Sequence, residues 1–525
     1  MKKRTKNCCP IMSYKQFLDK NKLSWWIMGI ALLISYGIKV FNVSISHDTE
    51  AIISVSDDLY NSWYALGRFG LILLKKVLDT YCFNPFVASF LMLVTMLING
   101  IVWAYLFAWL GQKKDMVCRN TWVFPVVFFT STIMAEQSAF LLQAYEVNVA
   151  LLMLGLALIN AYACILNEKK WYFFLPSCIF CILAFSCYQS FVPLFTAGAA
   201  ICFLKMYDAY ATKSTDISYD FLFRVIGKLV AVFLTSFALY MVINKLVLSI
   251  IGIETHSYIT DQIKWGTIPF MEGVKNVLRH VYRVLTGESI FYSSVFAIVC
   301  LTMLTYVILR IREKLPCYSI YILAVLFCFF SPFLMTVLMG EEPNVRTQIL
   351  LPFMSGALLQ YLLDKISVKE SKVLKWTYVV AMSITVWFSM HQSILSAKLY
   401  YTQYVQYEED VRTAIKISTR IDALDLGEIP VQPVVFVGKR TPQMNAVCFE
   451  NSELSLIGRS FFEVSFSTTH GTWVMSHFMD SIGYSYNSPT QEQIMLADEI
   501  ARDMPVWPYS GCVIEKDGII IVKLG

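Results

Sequence analysis

Leu23-Ser-Trp-Trp-Ile-Met-Gly-Ile-Ala-Leu-Leu-Ile-Ser-Tyr-Gly-Ile-Lys-Val-Phe41, followed directly by Asn42-Val-Ser-Ile-Ser-His47-Asp48-Thr-Glu50, decides how this chain is built. A run of about 20 apolar residues is the length that crosses a bilayer as one helix, which satisfies its own backbone amides in lipid. Lys2, Lys3, Arg4, Lys6, Lys15, Lys20 and Lys22 precede the run, and no small-residue cleavage site follows it. It therefore reads as an uncleaved first span with a cytosolic amino terminus. His47, Asp48 and Glu50 then fall just past the far end of that span, at the depth of lipid headgroups.

Working outward, the same pattern recurs. Hydrophobic residues make up 57 % of the chain and charged residues 15 %, against about 25 % charged in a soluble domain. The mean hydropathy is +0.56. A soluble enzyme is excluded, and a mainly α, polytopic membrane helical bundle is predicted. Further apolar runs lie near 85–110, 121–135, 147–166, 171–187, 190–206, 225–250, 290–309, 318–338, 347–364 and 375–394, giving about eleven helices, with the run from Trp171 to Met206 split at Cys187-Tyr188-Gln189-Ser190. Alternate connections carry the basic residues: Lys113, Lys114 and Arg119; Lys169 and Lys170; Lys205, Lys213, Arg224 and Lys228; Arg310, Arg312 and Lys314; Lys365, Lys369, Lys372 and Lys375. By the positive-inside rule these connections are cytosolic. The loops near 42–84, 136–146, 252–289 and 340–347 are then exterior, as is the carboxyl terminus.

Three domains follow: a basic amino terminus at 1–22, a transmembrane module at 23–395, and an extracytoplasmic α/β domain at 396–525. In the last, Tyr400 to Leu424 and Thr490 to Met504 have helical periodicity, with Thr490 as a cap. Pro433 to Gly438 reads as a buried strand, and the end as a hairpin turning at Lys516-Asp517-Gly518. The 14 cysteines have no metal-ligand spacing and mostly lie inside apolar runs. Cys8-Cys9 adjoin the membrane entry and are a candidate for lipidation. Cys448 and Cys512 lie in a polar region and are a candidate disulfide. The net charge of +5 is small, and no nucleic-acid partner is expected.

Asp48 and Glu50 are the first candidates for chemistry, since a carboxylate placed just outside a span can act as a general base. The alternative is a solvated, acidic helix end. Trp63-Tyr-Ala-Leu-Gly67-Arg68-Phe69-Gly70 reads as an interfacial helix in which aromatic rings lie at headgroup depth and Arg68 presents a planar guanidinium to a phosphate. Arg346, in Gly-Glu-Glu-Pro-Asn-Val-Arg, carries a positive charge against the topology rule, so an anionic partner is expected: Glu341, Glu342 or a lipid phosphate. Glu136, Gln137, Gln143, Tyr145 and Glu146 make the second exterior loop polar, either to hold a sugar or as a solvated turn. His256, Asp261, Lys264, Trp265, Lys275, Arg279, His280 and Arg283 read as an amphipathic helix lying on the membrane.

Asp48-Thr-Glu50 close after the first span, followed by Trp63-Tyr-Ala-Leu-Gly-Arg-Phe69, resembles the first exterior loop of bacterial membrane glucosyltransferases of the Gtr, O-antigen serotype-converting, glucosyltransferase II-like family. Arg346-Thr-Gln-Ile-Leu-Leu-Pro and the ends Met504-Pro-Val-Trp-Pro and Asp517-Gly-Ile-Ile-Ile-Val-Lys-Leu resemble Gram-positive relatives. Phe69 stands where many relatives have Trp. The resemblance implies a GT-C fold in the bacterial plasma membrane and inverting transfer of a hexose, most simply glucose, from an undecaprenyl-phosphate sugar. The implied acceptor is an envelope polysaccharide or teichoic-acid-like polymer, and a donor-lipid synthase and a flippase are implied as coupled partners. It assigns catalysis to Asp48 or Glu50 and a supporting role to Glu136 or Glu146. Beside these, His47 and Trp63 are expected to help position sugar or acceptor, and Arg68 and Arg346, from their own setting, to hold the donor phosphate. The second loop has no Asp-X-Asp pair, so a metal-independent reaction with no cofactor is expected. A transporter or flippase, or a non-catalytic assembly factor, is the alternative.

Overall fold

The computed structural model describes residues 13–111, 120–211, 217–254, 262–367, 371–427, 430–464 and 467–525. Cys8, Cys9, Lys2, Lys3, Arg4, Lys6, Lys113, Lys114, Arg119, Lys213, His256, Asp261 and Lys369 lie outside the described residues. Among those described, nine helices are long and apolar enough to cross a membrane: Lys22–Phe41, Pro85–Leu110, Leu141–Leu166, Lys170–Cys187, Phe191–Ala211, Tyr219–Ile251, Val295–Glu313, Tyr318–Met339 and Lys372–Asp422. The split expected at 187–190 is present, one helix ending at Cys187 and the next starting at Phe191.

The other two expected spans are helical but shorter. The run at 121–135 breaks into Val123–Phe129 and Thr132–Ala139. Thr130-Ser131-Thr132 causes the break, because the Ser131 hydroxyl accepts from the Met134 amide at 3.3 Å and starts a new helix. The freed carbonyls are satisfied from neighbouring helices: Tyr36 donates to the Phe129 carbonyl at 2.6 Å and Ser396 to the Thr130 carbonyl at 2.8 Å. Such a break is tolerated in a bundle interior for that reason. The run at 347–364 becomes Leu350–Ile366, of 17 residues. Phe353 on this helix packs against Phe124, Phe128 and Trp103 with ring centroids 4.9 to 5.6 Å apart, so the two short helices fill the centre of the bundle. At the periphery, Leu234, Val242, Leu246 and Ile250 of Tyr219–Ile251 are exposed, as on a lipid-facing helix. Helix Phe270–Thr286 likewise exposes Met271, Leu278, Tyr282 and Leu285 as one apolar stripe.

Helix ends gather in two groups. At one, Tyr378 donates to Asn120 at 2.6 Å, Asn120 donates to Asp364 at 3.1 Å, and Asp208 pairs with Arg310 and Lys365, each at 2.5 Å. At the other, the segments after Phe41, before Ala144 and before Leu350 meet the carboxyl-terminal domain.

Lys372–Asp422 is one helix of 51 residues, roughly 75 Å long at 1.5 Å per residue. It contains no glycine or proline. The compositional change near Ser396 therefore falls inside a rigid stem rather than at a linker. Beyond the stem lies a three-stranded sheet, β1 (Val434–Val437), β2 (Val513–Lys516) and β3 (Ile519–Lys523), in the order β1-β3-β2. β1 runs parallel to β3 with Val434 opposite Ile520, and β2 pairs antiparallel with β3 through the expected turn, where Asp517 and Gly518 have φ of 54° and 76°. Val434, Phe436, Ile520 and Val522 face the stem residues Ala414 and Ile417 and Phe478 of helix Thr468–Ser481. Val435, Ile519 and Ile521 face Ile494 and Ala497 of Gln491–Ala501, which Thr490 caps as expected. Burial on both faces explains why β3 is apolar throughout rather than alternating. Cys448 and Cys512 are free thiols, so the candidate disulfide is not formed.

Candidate active site

The chain leaves Phe41 extended and is fixed on both sides. Lys39 donates to the Ser44 carbonyl at 2.6 Å, and the Ser46 hydroxyl to the Ala139 carbonyl at 2.7 Å. It then turns sharply at Asp48, whose φ of 69° lies in the left-handed region. Asp tolerates that conformation better than most side chains, yet at a cost that surrounding structure must offset. The turn sends the neighbouring carboxylates in different directions. Asp48 has a half-exposed side chain, whereas Glu50, in the first turn of helix Thr49–Ser54, is 1 % exposed. Burial, and then the charge of Asp48, hold the Glu50 carboxyl well above the usual carboxylate range. One of its oxygens, Oε2, has no hydrogen-bond partner among the described residues.

Arg346 meets Asp48, with Nη1 3.5 Å from Oδ2, and its guanidinium lies over the Phe140 ring at 4.1 Å. Glu342, a candidate partner for Arg346 in the sequence, is engaged instead by Arg283 and by the Tyr292 hydroxyl, the latter at 2.7 Å. His47 packs against Phe461 with the rings tilted at 55° and centroids 4.9 Å apart. Burial pushes its imidazole down to about 4, against the opposing pull of Asp48, so the ring is neutral at neutral pH.

These residues line one wall of a cleft of about 550 Å³, formed by His47, Asp48, Glu50, Phe140, Asn344 and Arg346. The opposite wall is Ser455, Leu456, Arg459, Ser460, Glu463, Val464, His470 and Val474, all from the carboxyl-terminal domain. Sequence reading missed this second wall, because its residues have no motif spacing and reach the cleft only through the tertiary fold. Two buried carboxylates hold it. Glu136 accepts from the Leu456 and Ile457 amides at 2.8 and 3.2 Å. Asp410, on the stem, accepts from the Ser460 hydroxyl at 2.6 Å and the Phe461 amide at 2.8 Å. Glu136 thus sits beside the cleft with its carboxylate turned to the domain's backbone. Among the described residues no three His, Cys, Asp or Glu side chains converge as metal ligands.

Three expected site residues lie elsewhere. Glu146 is buried in an ion pair with Lys75, whose ammonium faces the Trp63, Phe83 and Tyr145 rings at 5.4 to 5.9 Å. Trp63 is 3 % exposed within that cage, and the loop from Glu136 to Glu146 is buried rather than a solvated turn. Arg68 donates from Nε to Gln189 at 3.2 Å and lies 5.2 Å from the Tyr188 ring, between two spans rather than in the cleft. The glycines of its motif explain the placement. Gly67 has φ of 73°, and a Cβ there would stand 2.9 Å from the Tyr240 hydroxyl; a Cβ at Gly70 would stand 2.9 Å from the Ser186 backbone. The motif packs the loop helices Ser56–Ala65 and Phe69–Val77 tightly onto the bundle.

No curated protein and no solved structure matches the chain. The family described as glucosyl transferase GtrII matches residues 37–362, more than half of the chain and the whole of the first wall. With an acidic cleft at the end of a polytopic helical bundle and that match, the chain belongs to the GtrII glucosyl transferase family.

Proposed function

We propose that this glucosyltransferase takes glucose from an undecaprenyl-phosphate-linked donor and transfers it, with inversion and without a metal ion, to a hydroxyl of a cell-envelope polymer at the exterior face of the bacterial plasma membrane. The reading rests on the half-exposed Asp48 carboxylate standing 3.5 Å from Arg346 in the cleft, beside a buried Glu50. Asp48, ion-paired and open to the cleft, is the base: it accepts the proton of the acceptor hydroxyl as that oxygen bonds to the anomeric carbon. Glu50 stays protonated and donates a hydrogen bond to a sugar hydroxyl, so two neighbouring carboxyls take different roles through their environments. The bond from the anomeric carbon to phosphate breaks and leaves polyprenyl phosphate. Arg346, braced on Phe140, stabilises the charge that develops there.

The test is transfer of radiolabelled glucose from synthetic undecaprenyl-phosphate glucose to envelope polymer by proteoliposomes of the full chain, with and without EDTA. Label appears in polymer in both conditions, with the anomeric configuration inverted. Transfer only from a nucleotide sugar would overturn the donor assignment, and loss of transfer in EDTA the metal-free chemistry.

A further inference from the structure

The second wall of the cleft contains an arginine that the transfer step above does not use. Arg459 donates from Nε to the Ser455 carbonyl at 3.3 Å and from Nη2 to the Leu454 carbonyl at 3.0 Å. The His47 ring lies beside the backbone of Arg459. Two of its five N–H groups are thus spent on fixing the guanidinium. Among the described residues no carboxylate lies within ion-pair distance of it, in contrast to Arg283, Arg310, Arg346 and Arg440, which each have one. Glu463 lines the same wall, but its carboxylate is engaged by the Asn451 side chain and the Ser460 amide. A cation held in place by carbonyls, without a counter-ion, facing a cleft is an anion-recognition element.

The position of Arg459 bears on which anion it meets. The family match covers residues 37–362, which include Asp48 and Arg346, and ends well before Arg459. Asp48 and Arg346, which the proposed transfer uses for the base and the donor phosphate, lie on the first wall. Arg459 faces them from the second wall, which leaves it to the acceptor.

We infer that Arg459 is a specificity-determining residue that binds an anionic group of the acceptor, a phosphodiester or carboxylate, so that the enzyme favours a negatively charged polymer. This rests on the proposed transfer for its place in catalysis, though not for the existence of the anion site.

Two measurements on the full chain in nanodiscs test it. In the first, a glycerol-phosphate oligomer, a hexuronate oligomer and a neutral glucan oligomer of equal length are titrated without donor. At least one anionic oligomer binds more tightly than the glucan, its affinity falls with salt, Arg459→Gln weakens it by about tenfold to a hundredfold, and Arg459→Lys restores part of the loss. Equal binding of charged and neutral oligomers, or no change in Arg459→Gln, would overturn the inference. In the second, steady-state transfer is measured with both substrates varied. The acceptor KM rises by about tenfold or more in Arg459→Gln and the donor KM much less. A rise confined to the donor KM would assign Arg459 to the donor phosphate and overturn acceptor recognition. Anion binding that depends on Arg459, in a protein that transfers nothing from the lipid donor, would uphold the site and sink the donor assignment instead. Arg459→Lys keeps the charge and the fold should Arg459→Gln prove unstable.

Discussion

Each end of the helical bundle holds a cluster of charges, and the two clusters are built on opposite principles. At one end Asp208, 3 % exposed, is surrounded by Arg310, Lys365 and the Tyr361 hydroxyl. Every partner it needs is a protein group, and it leaves nothing to offer a ligand. At the other, Asp48 is half exposed and has Arg346 at 3.5 Å, Glu50 has an oxygen without a partner, and Arg459 has no carboxylate near it among the described residues. A buried charge by itself marks only a structural requirement. Incomplete partnering around a cavity is what marks the place where a substrate completes the set.

The comparison can be broken most sharply by neutralising one carboxylate at each end. Asp48→Asn lowers transfer by about 10²–10⁴-fold, the range for removing a general base, with little effect on thermal stability. Asp208→Asn does the reverse: it leaves two cations against a neutral amide and costs about 3–5 kcal/mol of stability, while the protein that remains folded transfers at a rate near that of the wild type. A transfer defect in folded Asp208→Asn would mean that the closed end also takes part in function.

Glu136→Gln sharpens the comparison at the junction of the bundle and the second wall. It exchanges a carboxylate that receives two backbone amides for a group that can receive them only in part, at a cost of about 1–3 kcal/mol. Hydrogen exchange at Leu456 and Ile457 quickens accordingly, and the acceptor KM rises more than the donor KM.

The smallest net effect concerns pH, because here His47 and Glu50 oppose one another. The His47 imidazole is depressed from 6.5 to about 4. The unfolded chain therefore binds the extra proton first, and stability falls by about 1.4 kcal/mol for each unit of acidification within that window. Glu50 is raised, so the folded chain keeps its proton, and stability falls as pH climbs above the ordinary carboxylate value. His47→Gln removes the acid-side loss and Glu50→Gln the alkaline-side loss. Thermal denaturation of each variant across pH 4 to 8 separates contributions that partly cancel in the wild type.

How much of this could be read from the sequence varies with the distance over which each feature is determined. Nine of the eleven expected spans, the split at 187–190, the hairpin at 516–518 and the Thr490 cap follow from local pattern, and the structure has them. The charge of Arg346, set against the topology rule, pointed to an anionic partner, but Glu341, Glu342 or a lipid phosphate was expected rather than Asp48, which is distant in sequence. The break after Phe129 starts at the local Ser131 cap but is tolerated because hydroxyls from Tyr36 and Ser396, which no local window contains, satisfy the freed carbonyls. Arg68 looked like a phosphate ligand because aromatic residues flank it. Gly67 and Gly70, read as packing requirements, would have placed it between helices instead. Lys75, one charge in an apolar stretch, is the partner that turns Glu146 from a site candidate into half of a buried ion pair. The second wall was invisible for the plainest reason: Ser455, Arg459 and His470 converge on Asp48 only when the stem carries their domain back over the first loop.

The measurement that tests the account most directly is the initial rate of glucose transfer from undecaprenyl-phosphate glucose in proteoliposomes holding equal amounts of folded wild type, Asp48→Asn and Asp208→Asn. The account predicts transfer by the wild type and by Asp208→Asn, and a loss of at least about a hundredfold in Asp48→Asn. Transfer by Asp48→Asn at the wild-type rate would contradict it, because the open cleft would then not be the place where the glucosyl bond is made.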